Sequence, residues 1–261
     1  MSVLSNISRR SWGVWQRNRD VFLVTWKTNF LPPFLEPLLY LLAMGFGFGV
    51  LVNLPPPYGG PGGYARFLGP GLVAISAMYG AFFECTYGSF VRMHYQKTFE
   101  AIVATPLTVE DVITGEIIWG ATKSFINATI VLLVVFLFGL IASPAFLFVP
   151  LIALLAGLAF ASIAMIFTAL VPNIDSFNYP FFLFITPMFL FSGTFFPLSI
   201  LPIWVQDLAL AFPLTHVTIL MRALTSGTFV LHDLWSLLYL IVVFAISFYG
   251  AVWLMRRRLV N

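Results

Sequence analysis

Two carboxylates sit where a strongly apolar chain discards charge. Glu36 lies near the start of the first long apolar stretch and Glu84 inside the second. Ionisable groups at such positions are expensive to bury and are functional candidates by default. Each has three readings: an ion pair with Lys27, Arg92 or Lys123, a contact with a polar substrate head group, or a step in a proton relay. His216, in Pro213-Leu-Thr-His216, either touches substrate, caps a half-helix or makes a structural hydrogen bond. Other chemistry is not legible. His94, His216 and His232 are dispersed, without the spacing of metal ligands. The run from Gly115 through Gly120 to Lys123-Ser124 falls short of a phosphate loop, because two residues separate the second Gly from the Lys and no strand precedes it. No Ser/His/Asp set or carboxylate pair stands out, and a single Cys85 excludes an intrachain disulfide. The chain is expected to carry no catalytic site, metal or cofactor of its own.

The elements that hold these residues follow from composition. Hydrophobic residues make up 60% of 261, aromatic ones 17% and charged ones 9%, against about 25% charged in a soluble domain. From Ser124 to Gln206 the only charged residue is Asp175. A charged side chain at a bilayer centre costs roughly 2.5–3.5 kcal/mol on the insertion scale, so such a run belongs in a membrane. The apolar runs are continuous, which argues for helices and against the alternating strands of a barrel. The first residues do not read as a cleaved signal peptide, since Arg9, Arg10, Arg17 and Arg19 are scattered among Trp and Val. The net charge of +3 is not a nucleic-acid footprint, because the bases sit at span ends.

Hydropathy gives six spans: about Phe34–Val52, Phe67–Val91, Phe125–Ala142 (helical from Val112), Ala145–Leu170, Ser176–Ser192 and Leu234–Met255. Each approaches the ~20 residues that cross the hydrocarbon core. Arg9, Arg10, Arg17, Arg19, Lys27, Arg92, Lys97 and Arg256 to Arg258 then share one side, leaving Arg66 and Arg222 on the other. This predicts both termini in the cytoplasm, with Asp175 in a short cytoplasmic turn. Residues 53–66, rich in Pro and Gly, read as an external loop without helix. Residues 193–225 are too broken to span and too apolar for a solvated loop. Two re-entrant half-helices that cap the outer side fit them, since irregular backbone at that depth needs protein or a water-lined cavity around it.

Residues 1–30 form an N-terminal segment before the membrane domain of residues 31–258. As a helix over 7–28 it places Trp12, Trp15, Phe22, Leu23 and Trp26 on one arc and Arg9, Arg10, Arg17, Asp20 and Lys27 opposite. That pattern predicts a helix lying in the membrane interface, either a gate at the cytoplasmic leaflet or a plain anchor. Small residues at Gly45 and Gly49, and at Ala153, Gly157 and Ala161, have the spacing of close helix contacts. The Phe residues of the fifth span, among them Phe181 and Phe184, either line an aromatic path or pack.

After the second span, Tyr95, Phe99, Ile102 and Val103 make one helical stripe in a stretch from Arg92 to Ala104, and Thr105-Pro106-Leu107 ends it. The run FECTYGSFVRMHYQKTFEAIVATPLTVEDVITGEIIW resembles the matching region of ABC-2 type exporter permeases, in particular the nodulation-factor (NodJ-like) and polysaccharide-export branches. A second run, FFLFITPMFLFSGTFFPLSILPIWVQDLALAFPLTHVTILMRAL, resembles them too. The resemblance implies an all-α integral membrane fold with six spans, an interfacial N-terminal helix and re-entrant half-helices before the last span. It further implies a bacterial inner-membrane permease working as two copies with two ABC ATPase subunits, which would bind the ATP and Mg. The stretch Arg92–Ala104 would be the coupling helix, with Arg92, Tyr95, Lys97, Phe99, Glu100, Ile102, Thr105 and Pro106 facing an ATPase groove. The cargo implied is an amphiphile, a lipo-oligosaccharide or lipid-linked glycan, moved outward through the lipid. A hydrophobic drug or lipid stays open as cargo. So does a different class, a secondary transporter driven by protons through Glu36 or Glu84, which the lack of an evident inverted repeat weakens.

Overall fold

The computed structural model describes residues 7–52, 58 and 62–260, without the side chains of 28–34 and 260. Among these residues the secondary structure is entirely helical. The first helix, α1 (Ser11–Tyr40), runs past residue 30 without a break and continues as a π segment, Leu41–Gly47, and a 3-10 turn, Phe48–Leu51. The interfacial segment and the first span are therefore successive parts of one helical path, and the apolar part, Leu35–Leu51, is shorter than a full crossing.

Most of the expected external loop (residues 53–57 and 59–61) lies outside the described residues. Its last part is helix, contrary to expectation: α2 (Gly63–Phe83) starts after Gly62, whose φ of 74° gives the left-handed turn that a side chain would resist. Pro70 sits inside this helix. Beyond Phe83 the chain stays helical through two π turns, Glu84–Gly88 and Val91–Tyr95, so the whole span is Gly63–Tyr95. Lys97 then breaks it with φ 54°. The helix expected from Arg92 to Ala104 contracts to α3 (Thr98–Val103), because Arg92 and Tyr95 belong to the end of the preceding span.

Next comes α4 (Val109–Leu137), started by a capping box in which Thr108 and Asp111 satisfy each other's backbone N–H. It lies against α1, α2 and α5 (Val149–Leu170) and is the axis of the bundle. Contacts there are close because the residues are small. A Cβ on Gly157 would meet Ser124 Cβ at 2.6 Å, and one on Gly120 would meet Cys85 Sγ at 2.5 Å. The expected row Ala153, Gly157 and Ala161 is buried in this crossing, with Ser124 donating to the Ala153 carbonyl at 2.9 Å.

The fifth span, Ile174–Phe191, is assembled from short pieces, including α6 (Asn178–Pro180), a π turn Phe181–Ile185 and α7 (Thr186–Phe191). The broken segment that follows is a helix pair, α8 (Ile203–Leu210) and α9 (Pro213–Ser226), bent by 89°. The last helix is α10 (Leu234–Val260), packed on α5 and α9. Among the described residues five helices have the length and hydropathy to cross a membrane, and the bent pair would make a sixth.

Contacts divide the bundle into two ends. At one, Ser8 donates to Asp111 and Arg256 pairs with Glu110 at 3.1 Å. There too Arg258 donates to the Thr168 and Val171 carbonyls, beside the turn that holds Asp175. Ser8 and Arg256, near the two ends of the described chain, therefore both meet α4 where it begins. At the other end Tyr64 donates to the Phe195 carbonyl, Arg222 to those of Phe67 and Gly193, and Ala142 N–H to that of Thr225.

Candidate functional site

Two cavities meet inside the bundle, the smaller in the half that carries the termini and the larger reaching from there toward the opposite end. The larger, about 420 Å³, lies between α1, α2, α4, α7 and the segment after α7. Glu36, Glu84, Lys123 and Asn127 supply its polar wall, and Tyr40, Tyr79, Phe83, Phe189 and Phe195 its aromatic wall. Tyr79 stacks on Phe189 with centroids 6.1 Å apart, and Phe195 meets Phe189 edge-on at 5.0 Å. The smaller cavity, about 390 Å³, is lined by Arg17, Asn18, Thr25, Arg92, Gln96 and Trp119 among others. Glu84, Gly88 and Lys123 border both.

The π turns of α2 explain how Glu84, Gly88 and Arg92 come to one face. Widened turns bring residues four apart into line, and such turns recur at functional sites. Arg92 Nη1 lies 2.8 Å from Glu84 Oε1, and the same guanidinium grips Glu116, whose side chain is 1% exposed, through Nε and Nη2. Glu116 also accepts from Ser89 Oγ at 2.6 Å and Asn18 Nδ2 at 2.9 Å. One buried carboxylate thus ties α1, α2 and α4 together, with each oxygen partnered. That is the condition for keeping an ion pair in a low-dielectric place. Arg17 stands at the rim, donating to Asn18 Oδ1 at 3.1 Å and toward Thr98 Oγ1 at 3.5 Å. Burial pulls its guanidinium below the ordinary range, Glu116 opposes that shift and Arg92 adds to it.

Both intramembrane carboxylates border the larger cavity, and Glu84 pairs with Arg92, one of the three bases that the sequence offers it. Glu116 was not anticipated. It sits in VEDVITGEIIW, and its partner Asn18 is 98 residues away. Phe181 packs on Phe83 at 5.7 Å at the edge of the same aromatic wall, whereas Phe184 packs on Phe167 at 5.8 Å. His216 is held within the bent pair and the last helix. Its Nε2 lies 2.9 Å from the Leu210 carbonyl and so carries the proton, while Nδ1 accepts from Ser236 Oγ at 3.0 Å. The ring stacks on Tyr239 at 4.0 Å.

The N-terminal helix does not rest on its tryptophan arc. Its buried line is Ser11, Val14 and Asn18, which is small and polar because the partner surface is Gly115 and Glu116. A Cβ on Gly115 would stand 2.5 Å from Val14 Cβ. Trp15 and Phe22 flank this line: Trp15 Nε1 donates to Thr122 at 2.9 Å, Phe22 meets Trp119 edge-on, and Lys123 Nζ lies 4.6 Å over the Phe22 ring. Trp12 and Trp26 stay half exposed, Trp12 stacked on Trp15.

The loop residues separate into two groups. Arg92 and Phe99 turn inward, Phe99 being 1% exposed, and Ile102 is half-buried. Tyr95, Lys97, Glu100, Thr105 and Pro106 are exposed. Lys97 and Glu100 pair with each other at 2.8 Å, and the Pro106 carbonyl accepts from Arg10. The stripe read as a docking face is thus partly the loop's own attachment to the bundle.

The sequence pattern of the family described as ABC-2 type transporter matches residues 10–226. Nodulation protein J of Sinorhizobium fredii (strain NBRC 101917 / NGR234) is 37% identical over 253 residues, covering 95% of this chain and 93% of the relative. Nodulation protein J of Rhizobium leguminosarum bv. trifolii is 38% identical over 254 residues, with the same coverage. The inner membrane transport permease YadH of Escherichia coli (strain K12) is 21% identical over 247 residues, covering 94% and 93%. A family match across most of the chain, with relatives above 30% identity over nearly their whole length, makes this multi-pass membrane protein a transport permease that belongs to the ABC-2 type transporter family.

Proposed function

We propose that this chain is the membrane subunit of an ATP-driven exporter in a bacterial inner membrane, and that it moves an amphiphile outward from the inner leaflet. The cargo class that fits is a lipo-oligosaccharide or lipid-linked glycan. The observation that carries the reading is the pair of joined cavities, the smaller richer in cationic and amide side chains, the larger joining an aromatic wall to a polar one. That division suits a molecule with a polar head and an apolar chain, and it lies beside an N-terminal helix with exposed tryptophans. In this reading both termini and α3 are cytoplasmic, two copies of the chain pair with two ATPase subunits that bind ATP and Mg, and the loop's exposed residues contact the ATPase. A hydrophobic drug or lipid is the alternative cargo. The Glu84 carboxylate is engaged by Arg92 at 2.8 Å, a structural pairing that disfavours a relay role for it.

Copurification tests the assembly. Tyr95→Ala with Lys97→Glu changes only exposed side chains, and it is expected to lower the amount of ABC ATPase recovered with the permease while leaving the permease monodisperse. Undiminished recovery, or amphiphile transport driven by a pH gradient with no ATPase present, contradicts the proposal.

A further inference from the structure

Glu84, Gly88 and Lys123 line both cavities, so they form the boundary between them. The chambers differ in kind. The smaller, which includes Gln96 at the mouth of the loop and Arg17 of α1, has a wall of three cations (Arg17, Arg92, Lys123) against one acid, Glu84. Glu116 lies behind Arg92 and takes up one further charge, which still leaves the positive side in excess. Arg17 gives its hydrogen bonds to neutral oxygens, those of Asn18 and Thr98. The larger chamber carries Glu36 and Asn127 on its polar wall and, among the described residues, no cation besides the shared Lys123, and its apolar part runs between Leu72, Ile75, Tyr79 and Phe189. Gly88 keeps the boundary thin: a Cβ there would come within 3.1 Å of Glu84 Oε1 and 3.4 Å of Arg92 Nη1.

We propose that the two chambers divide an anionic amphiphile between them: its acidic head sits in the smaller chamber beside Arg17 and Lys123, and its apolar chain passes Gly88 into the aromatic chamber. An excess of cations in a partly dehydrated wall selects an anion, and a fixed charge pattern rejects the opposite sign more sharply than it attracts the right one. The chamber sequence also matches how a lipid stands in a leaflet, head at the surface and chain toward the midplane. This rests on the exporter reading for its role, although binding can be tested without transport.

The test uses the full chain in amphipol and three dodecyl compounds with a diazirine at the chain end: dodecyl phosphate, dodecyl maltoside and dodecyltrimethylammonium. Photolabelling followed by peptide mass spectrometry is expected to mark Leu72, Ile75, Tyr79 or Phe189, with the phosphate effective at about tenfold lower concentration than the ammonium compound. Arg17→Gln, at the rim of α1, should erase most of that preference. Ser76→Phe, which fills the aromatic chamber, should move the chain-end label out of it, and Leu72→Trp is the second plug if Ser76→Phe does not fold. Equal labelling by the three heads, or labelling unchanged by a folded plug, overturns the proposal. Export by the wild-type protein without this labelling would remove the two-chamber assignment alone; labelling as expected without ATP-driven export would remove the exporter reading alone.

Discussion

At the end that carries the termini, irregular helix is held by ionised groups. Arg92 lies between Glu84 and Glu116, and Asn18, Ser89 and Glu116 knit three helices at a point where α2 has gone into π turns. At the opposite end the chain is at least as irregular, with an 89° bend between α8 and α9, yet most of its ties are neutral. Thr215 donates to the Ala209 carbonyl at 2.6 Å, Tyr239 to that of Ala211 at 2.6 Å, and His216 bridges Leu210 and Ser236. Among the exceptions, Asp233 accepts from the Val230 N–H at 2.9 Å, and Arg222 has carbonyls and the Phe67 ring, 3.9 Å away, as partners. Paired charges fail together when one is removed, whereas neutral bonds fail singly. The first arrangement suits a junction that must move as a unit, the second a cap that must merely keep its bend.

The largest effect should come from splitting the ionic cluster. Arg92→Ala leaves two carboxylates inside the bundle and is expected to cost about 3–5 kcal/mol, read as a fall in thermal midpoint of the purified protein. Arg92→Lys should recover only part, because a single ammonium cannot serve both acids as the guanidinium fork does. Overpacking the opposite end comes next. A Cβ at Gly71 would stand 2.6 Å from Thr194 Cγ2, so Gly71→Val should cost about 1–3 kcal/mol in the same measurement. His216→Ala removes two neutral hydrogen bonds and is expected to cost about 1 kcal/mol, without disturbing Arg92-dependent properties. An Arg92→Ala protein no less stable than His216→Ala would erase the distinction between the two ends.

The spans were legible because a membrane leaves a compositional mark: the uncharged run after Ser124 and the bases at span ends need no tertiary knowledge. The bent pair before the last span was legible for the same reason, since Pro202 and Pro213 interrupt a run too apolar to be exposed. The π turns were not, because nothing in FECTYGSFVRMHY distinguishes four residues per turn from 3.6. The face by which α1 packs on α4 was not legible, for a physical reason. A wheel sorted by hydropathy picks out Trp12, Trp15 and Trp26, but the contact with α4 is set by Gly115 and Glu116, which require small and polar residues opposite. Likewise the stripe Tyr95, Phe99, Ile102 and Val103 has helical spacing, yet Lys97 in a left-handed conformation divides Tyr95 from the rest and Phe99 turns into the bundle. Arg92 was one of three bases that the sequence offered Glu84 as a partner; Glu116 needed the fold.

The central claim is that the joined cavities carry an amphiphile under ATP drive. The most direct measurement is translocation of a fluorescent lipo-oligosaccharide in proteoliposomes that hold the permease with its ABC ATPase, comparing wild type with the cavity-filling Ser76→Phe. The expected result is ATP-dependent outward movement by the wild type, lost in Ser76→Phe while ATP hydrolysis continues. Translocation that a folded Ser76→Phe leaves intact, or that proceeds without ATP, would contradict it.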